Sequence, residues 1–251
     1  MIYYKKQGLT SIDSIYQKFN KKEFKSPYRS TIPLIALFKS NQIANIKSLK
    51  SNSISNIDYI FEHETHVTKG NGSPSCSDLL IKHSNGCIVI EAKRTEPPYE
   101  KVGKWLGSST NKKLVLEGWL ELINNFTDLK VDISEITDLP YQLIHRVASA
   151  CLLKKQQTEI IYIGFNLNER KANYYLSCLE KFSKILENRI DLYLYCYDID
   201  KSEELIRLEK KWDSGERDLS QNVISGLVND NLMKLSETMT KKINKNATHP
   251  V

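Results

Sequence analysis

At 251 residues and 40% hydrophobic side chains, the chain can bury a full core and requires no more than one elaborated domain; a net charge of +6 suits a polyanionic partner without demanding one. Its five cysteines (Cys76, Cys87, Cys151, Cys178, Cys196) are odd in number and lack CxxC or zinc-like spacing, so they read as reduced, mostly buried thiols and exclude a disulfide scaffold. The opening MIYYKKQGL has no apolar signal core and no window approaches the roughly 18 apolar residues of a membrane span, so the expected location is cytoplasmic, with no membrane partner.

In chain order, residues 1–56 read as a helical N-terminal extension. Thr10-Ser11-Ile12-Asp13 caps a helix carrying Ile12, Ile15, Tyr16 and Phe19, and Thr31 precedes the apolar Ile32, Leu34, Ile35, Leu37 and Phe38. Ser51 to Asn56 is a polar connector, and Tyr59 to Val67 is a first strand. Glu62 and Glu64 alternate with Phe61, His63 and Thr65, so both share one face. Either that face adds a metal ligand, Glu64 being nearer the end of the next strand, or both carboxylates are solvated. His63 and His66 fall on opposite faces, so with His83 they make no metal cluster. The loop Lys69-Gly70-Asn71-Gly72-Ser73-Pro74 has glycines that would let backbone approach a phosphate; it reads as a substrate-contacting loop or a plain turn.

The most informative stretch is SCSDLLIKHSNGCIVIEAK, Ser75 to Lys93. Leu79-Leu80-Ile81 and Cys87-Ile88-Val89-Ile90 are β-prone runs separated by Ser84-Asn85-Gly86, and an Asn-Gly turn predicts a hairpin pairing Ser84 with Cys87. That register sets Glu91 opposite Leu80 and Lys93 opposite Asp78, all three charges on one face, with Leu79, Ile81, Ile88, Ile90 and Ala92 on the other. Two carboxylates are hard ligands of the kind Mg²⁺ prefers, and a nearby lysine can hold water and offset charge on a phosphoryl group.

With Asp78 followed by Glu91-Ala92-Lys93, the chain resembles the PD-(D/E)XK nuclease superfamily, the restriction-endonuclease-like enzymes, and the Arg94-Thr95-Glu96-Pro97 continuation looks similar to some of its branches. The matched stretch covers about a tenth of the chain. The resemblance implies a metal-dependent endonuclease of the type II restriction or phage-defence kind, using Mg²⁺ with Mn²⁺ as substitute. Asp78, Glu91 and the backbone carbonyl of Ala92 would be ligands, Glu64 a possible addition, and Lys93 would position water. It also implies DNA as the partner, RNA or single-stranded DNA being the alternative, and a possible homodimer. A nucleic-acid-binding module without catalysis is the reading from another class.

Downstream, Leu114 to Phe126 predicts an amphipathic helix, and Pro140 opens another to about Leu153. On the latter, Gln142 and Arg146 are four apart and share a face; some superfamily branches use a glutamine on such a helix, although Arg146 stands where their QxxxY pattern has tyrosine. Gln142 is therefore either a site residue or part of a polar helix face, while His145 reads as structural. Strands are predicted at Ile160 to Phe165 and Leu192 to Tyr197 around a helix from Glu169 to Leu186. The expected fold is α/β, a restriction-endonuclease-like mixed sheet with helices on both faces. Residues 57–200 form its core and 201–251 a helical C-terminal segment with a flexible tail. Lys69, Arg94, Lys104, Lys112 and Lys113 are the expected nucleic-acid contacts, with Trp105 as a stacking ring.

Overall fold

The chain opens on two short strands, β1 (Ile2–Tyr4) and β2 (Gln7–Leu9), in a computed structural model that describes residues 1–46, 49 and 55–243. The sequence predicts only helix in this extension. Short 3₁₀ turns at Ile12–Gln17, Lys21–Glu23 and Gln42–Asn45 and helix α1 (Thr31–Lys39) follow, but β1 pairs in parallel with the edge of β3 (Asp58–Thr65). An open sheet edge offers the β-prone Ile2-Tyr3-Tyr4 hydrogen bonds that no local pattern reveals.

Strands β3, β4 (Ser75–Lys82) and β5 (Gly86–Lys93) form an antiparallel meander. Helices α2 (Val102–Leu106), α3 (Thr110–Thr127), α4 (Ile133–Ile136) and α5 (Tyr141–Cys151) then lead to β6 (Gln157–Phe165), parallel to β5. Helix α6 (Glu169–Ile185) returns the chain to β7 (Asp191–Lys201), parallel to β6. Two further helices, α7 (Glu203–Asp213) and α8 (Ser220–Val228), precede β8 (Met233–Lys242), which runs antiparallel to β7. The result is one eight-stranded mixed sheet of order β2-β1-β3-β4-β5-β6-β7-β8. Helices cover both faces, as the sequence predicts, but the C-terminal segment ends in a strand, because β7 presents an edge that β8 can extend. The expected flexible tail, residues 244–251, and most of the Ser51–Asn56 connector lie outside the described residues.

Each face has its own core. Leu80, Val89, Ile160, Leu192 and Leu194 pack under α3, α5 and α6, while Phe61, Leu79, Ile81, Ile88, Ile90 and Ile161 pack under α1, α7 and α8. Strand β5 is central, and all eight of its residues are buried, so any polar side chain on it needs a partner. No helix among the described residues is long and apolar enough to cross a membrane.

The β4–β5 turn differs from expectation by one residue. Backbone bonds join His83 and Gly86 (3.0 and 3.4 Å), so Ser84-Asn85 is the turn, and Leu80 faces Val89 rather than Glu91. Neither Asn85 nor Gly86 has positive φ. Gly86 is needed for another reason: a Cβ there would lie 2.2 Å from the Gln157 carbonyl oxygen, where β5 begins to pair with β6. Moving the turn one position shifts every partner by two, which leaves each side chain on its predicted face.

Candidate active site

The β4–β5 ladder runs to Leu79 opposite Ile90, and beyond it the Asp78 carboxylate takes the backbone N–H of Ala92 (2.7 Å). On the other side of Asp78, between the pairs Phe61–Leu79 and His63–Ser77, Glu62 adopts φ 52°, a left-handed conformation that is rare inside a strand for a residue with a side chain. Regular pairing thus gives way on both flanks of Asp78. The hairpin end carrying Asp78, Glu91 and Lys93 is one place where the sheet departs from regularity, a shift at Cys196/Tyr197 against β8 being another.

Helix α5 supplies the opposite wall. Every residue from Gln142 to Cys151 is buried, and the four-residue spacing of Gln142 and Arg146 turns both toward β5. Glu91 is 2% exposed. Its Oε1 accepts from Lys93 Nζ and Gln142 Nε2, each at 2.6 Å, and its Oε2 accepts from Arg146 Nε. Arg146 also donates through Nη1 to Ser75 Oγ (2.7 Å), which lies 2.8 Å from His145 Nδ1. His145 is thereby engaged by Ser75 and Arg146 inside the protein. Burial and the neighbouring Arg146 and Lys93 cations hold its imidazole well below the usual range, hence neutral.

Electrostatics divide the acids. Burial pushes Glu91 up, but Arg146 and Lys93 outweigh it and leave the carboxyl below its ordinary value. Burial likewise opposes the charge on Lys93, yet Glu91 and Asp78 raise it, so Lys93 is an ammonium at neutral pH. Asp78 forms no ion pair among the described residues; burial, then Glu91, drive its carboxyl well above the usual range. Glu62 is pushed up to about 7 by burial and by Glu23. Glu91 is saturated with donors, whereas for Asp78 and Glu62 burial and neighbouring carboxylates outweigh the nearby Arg146 and, at Asp78, Lys93, so both favour the neutral form in the absence of a further cation.

That imbalance and the hard oxygen donors fit a cation. Asp78 and Glu91 could hold it with the Ala92 carbonyl, which leaves the strand on the same edge as the N–H that Asp78 takes. Against this, no group of three or more His, Cys, Asp or Glu among the described residues is arranged for a metal, and Arg146 occupies one oxygen of Glu91.

Glu64, the predicted extra ligand, is not in the site. Its carboxylate pairs with Lys5 at 2.5 Å, because β1 alongside β3 brings Lys5 there. Glu62 takes its place near Asp78, a distinction that needs the β3–β4 register. Arg94 is not a nucleic-acid contact either: it is 4% exposed, donates to the Pro27 carbonyl, and pairs with Glu209 of α7 at 2.9 Å. Arg94→Ala should therefore cost about 1–3 kcal/mol in denaturant unfolding, since Glu209 loses one of its two cations and keeps only Lys201 (2.6 Å) while the Pro27 carbonyl loses its donor, and should leave the salt dependence of any DNA binding unchanged. A lowered salt slope with full stability would restore Arg94 to the binding surface.

The expected lysines lie on the surface around α2 and α3. Lys69, Lys104 and Lys113 pair with Glu121, Glu100 and Glu117 at 3.2, 3.3 and 4.0 Å, contacts that water screens and a phosphate could replace. Lys112 donates to the Trp105 carbonyl (2.6 Å) and sits 5.3 Å above its ring. Trp105 is no open stacking platform, because its other partner is Tyr141, stacked at 3.7 Å and 9°. The glycine loop is likewise docked, Asn71 exchanging bonds of 2.8 and 2.7 Å with Asn111 of α3. The five cysteines are free thiols, three of them buried.

A family model described as a domain of unknown function (DUF6946) matches residues 8–200, a span that includes every residue of the site. No curated protein and no solved structure matches the chain.

Proposed function

For a chain that belongs to the DUF6946 family, we propose the activity of a metal-dependent nuclease that hydrolyses phosphodiester bonds, DNA in preference to RNA. The observation that carries this reading is the convergence of Asp78, Glu91 and Lys93 at the irregular end of one hairpin, with Gln142 reaching Glu91 from α5. An antiparallel meander followed by helices and a parallel strand supports it, being the element order that a restriction-endonuclease-like core implies.

In this reading Asp78 and Glu91 hold Mg²⁺, with the Ala92 carbonyl and Glu62 beside them. A bound Mg²⁺ supplies charge stabilisation at the phosphoryl oxygens. Lys93 acts as a fixed cation and hydrogen-bond donor rather than as a base, since its neighbours keep it protonated. Arg146 and Gln142 keep Glu91 ionised and oriented. The surface lysines of α2 and α3 neutralise backbone phosphates.

One observation favours a second reading. The Arg146 guanidinium already satisfies Glu91, which would suit a nucleic-acid-binding module without catalysis. Incubating wild type, Asp78→Ala and Lys93→Ala with plasmid, single-stranded DNA and RNA in Mg²⁺, Mn²⁺ or EDTA separates the two. The nuclease reading expects metal-dependent cleavage by wild type, none by Asp78→Ala, and slow cleavage with intact binding by Lys93→Ala. Binding without cleavage under every condition would establish the module instead.

A further inference from the structure

Tyr175 lies on α6 with its ring against Tyr162 of β6 (centroids 5.7 Å apart) and is 4% exposed. Its hydroxyl is buried and has no hydrogen-bond partner among the described residues. A folded chain gains nothing from that hydroxyl, since phenylalanine would fill the same volume without an unsatisfied donor. The hydroxyl is left free to hold a water or a ligand.

A place for one adjoins it. Tyr175 lines a cavity of about 10 Å³ with Gln142, Tyr162, Tyr99 and Cys178, which is about the space one water requires. Gln142 spends its Nε2 on Glu91 and keeps its carbonyl oxygen as an acceptor. Lys93 Nζ lies 5.6 Å above the ring of Tyr99, and Tyr99 is 51% exposed, so one residue of the cavity lining reaches both the lysine and solvent.

We propose that this cavity seats the attacking water and that the Tyr175 hydroxyl, with Gln142, holds it beside Lys93; the proposal rests on the nuclease function above. In the hydrolysis a bond forms between the water oxygen and phosphorus and the ester P–O bond breaks. The departing sugar oxygen takes up a proton, and the proton lost by the water passes to solvent. Tyr175 orients the water and ends the cycle in its starting protonation state.

The test is Tyr175→Phe, with Tyr174→Phe as the control, measured by single-turnover DNA cleavage in Mg²⁺, DNA binding in Ca²⁺ and thermal unfolding. The expected result is a Tm equal to or above wild type, unchanged binding, and cleavage slowed at least about tenfold, with Tyr174→Phe cleaving like wild type. Cleavage by Tyr175→Phe at the wild-type rate overturns the water site and leaves the nuclease reading standing. A slow variant whose Tm also falls by several degrees overturns it too, since the hydroxyl would then serve the fold. Wild type inactive on every substrate removes the nuclease reading and this inference with it.

Discussion

Replacing Arg146 with alanine should destabilise the protein by about 3–5 kcal/mol. The guanidinium is 5% exposed and lies against Glu91, itself 2% exposed, while its other arm supports Ser75 and through it His145. Without it Glu91 keeps Lys93 and Gln142 but is left with a buried oxygen and an uncompensated share of charge, and Ser75 loses a donor. Adding Glu91→Gln to Arg146→Ala should return part of the loss, because the neutral amide no longer demands a cation, although Lys93 is then left with Asp78 as its nearby carboxylate. Denaturant unfolding of both single variants and the double variant gives the coupling directly. Additive losses, or a loss for Arg146→Ala below about 1 kcal/mol, would show that the pair does not hold α5 against β5. By the same reasoning Glu91→Ala strands two buried cations, so its inactivity would confound chemistry with folding; Asp78 is the cleaner probe.

Asp78→Asn should do the opposite to stability and lower activity. The amide oxygen can still accept from the Ala92 N–H, but the charge whose burial beside Glu91 is unfavourable has gone. Asp78 and Glu62 both have folded values above their ordinary 3.8 and 4.5, Glu62 reaching about 7. Between the ordinary and the raised values the folded state binds more protons than the unfolded chain. Stability therefore falls as pH rises through that window. Removing the Asp78 charge should raise stability at about pH 8 by roughly 1–2 kcal/mol, allowing for solvent screening of a half-buried group, and by nothing near pH 3. Cleavage should fall roughly a hundred- to a thousandfold, the equivalent of a few kcal/mol of lost charge stabilisation. Chemical denaturation across pH, paired with cleavage rates, tests both halves. A variant less stable than wild type at alkaline pH would mean that Asp78 is compensated after all.

The hairpin, the helices at Thr110–Thr127, Tyr141–Cys151 and Glu169–Ile185, and the strands of the sheet centre were legible because local periodicity and burial agree there. Even a misplaced turn left Asp78, Glu91 and Lys93 on one face, since the strand period of two absorbs a two-residue shift in pairing. Gln142 was legible as one of two readings, and the structure brings it to Glu91.

Sequence alone determined the alternation that gathers these three charges, the composition that can bury a two-sided core, and the cysteines that stand as free thiols. Tertiary structure decided the rest: that β1 and β8 extend the sheet, that Lys5 takes Glu64, that Glu209 takes Arg94, and that Arg146 closes on Glu91. The physical reason is common to all four. Strand addition at an edge and the pairing of a buried charge depend on which distant segments come within a few ångströms, the partners being 59 positions apart for Lys5 and Glu64, 115 for Arg94 and Glu209, and 55 for Glu91 and Arg146. Periodicity fixes which way a side chain faces, and only the packed sheet fixes what it meets there.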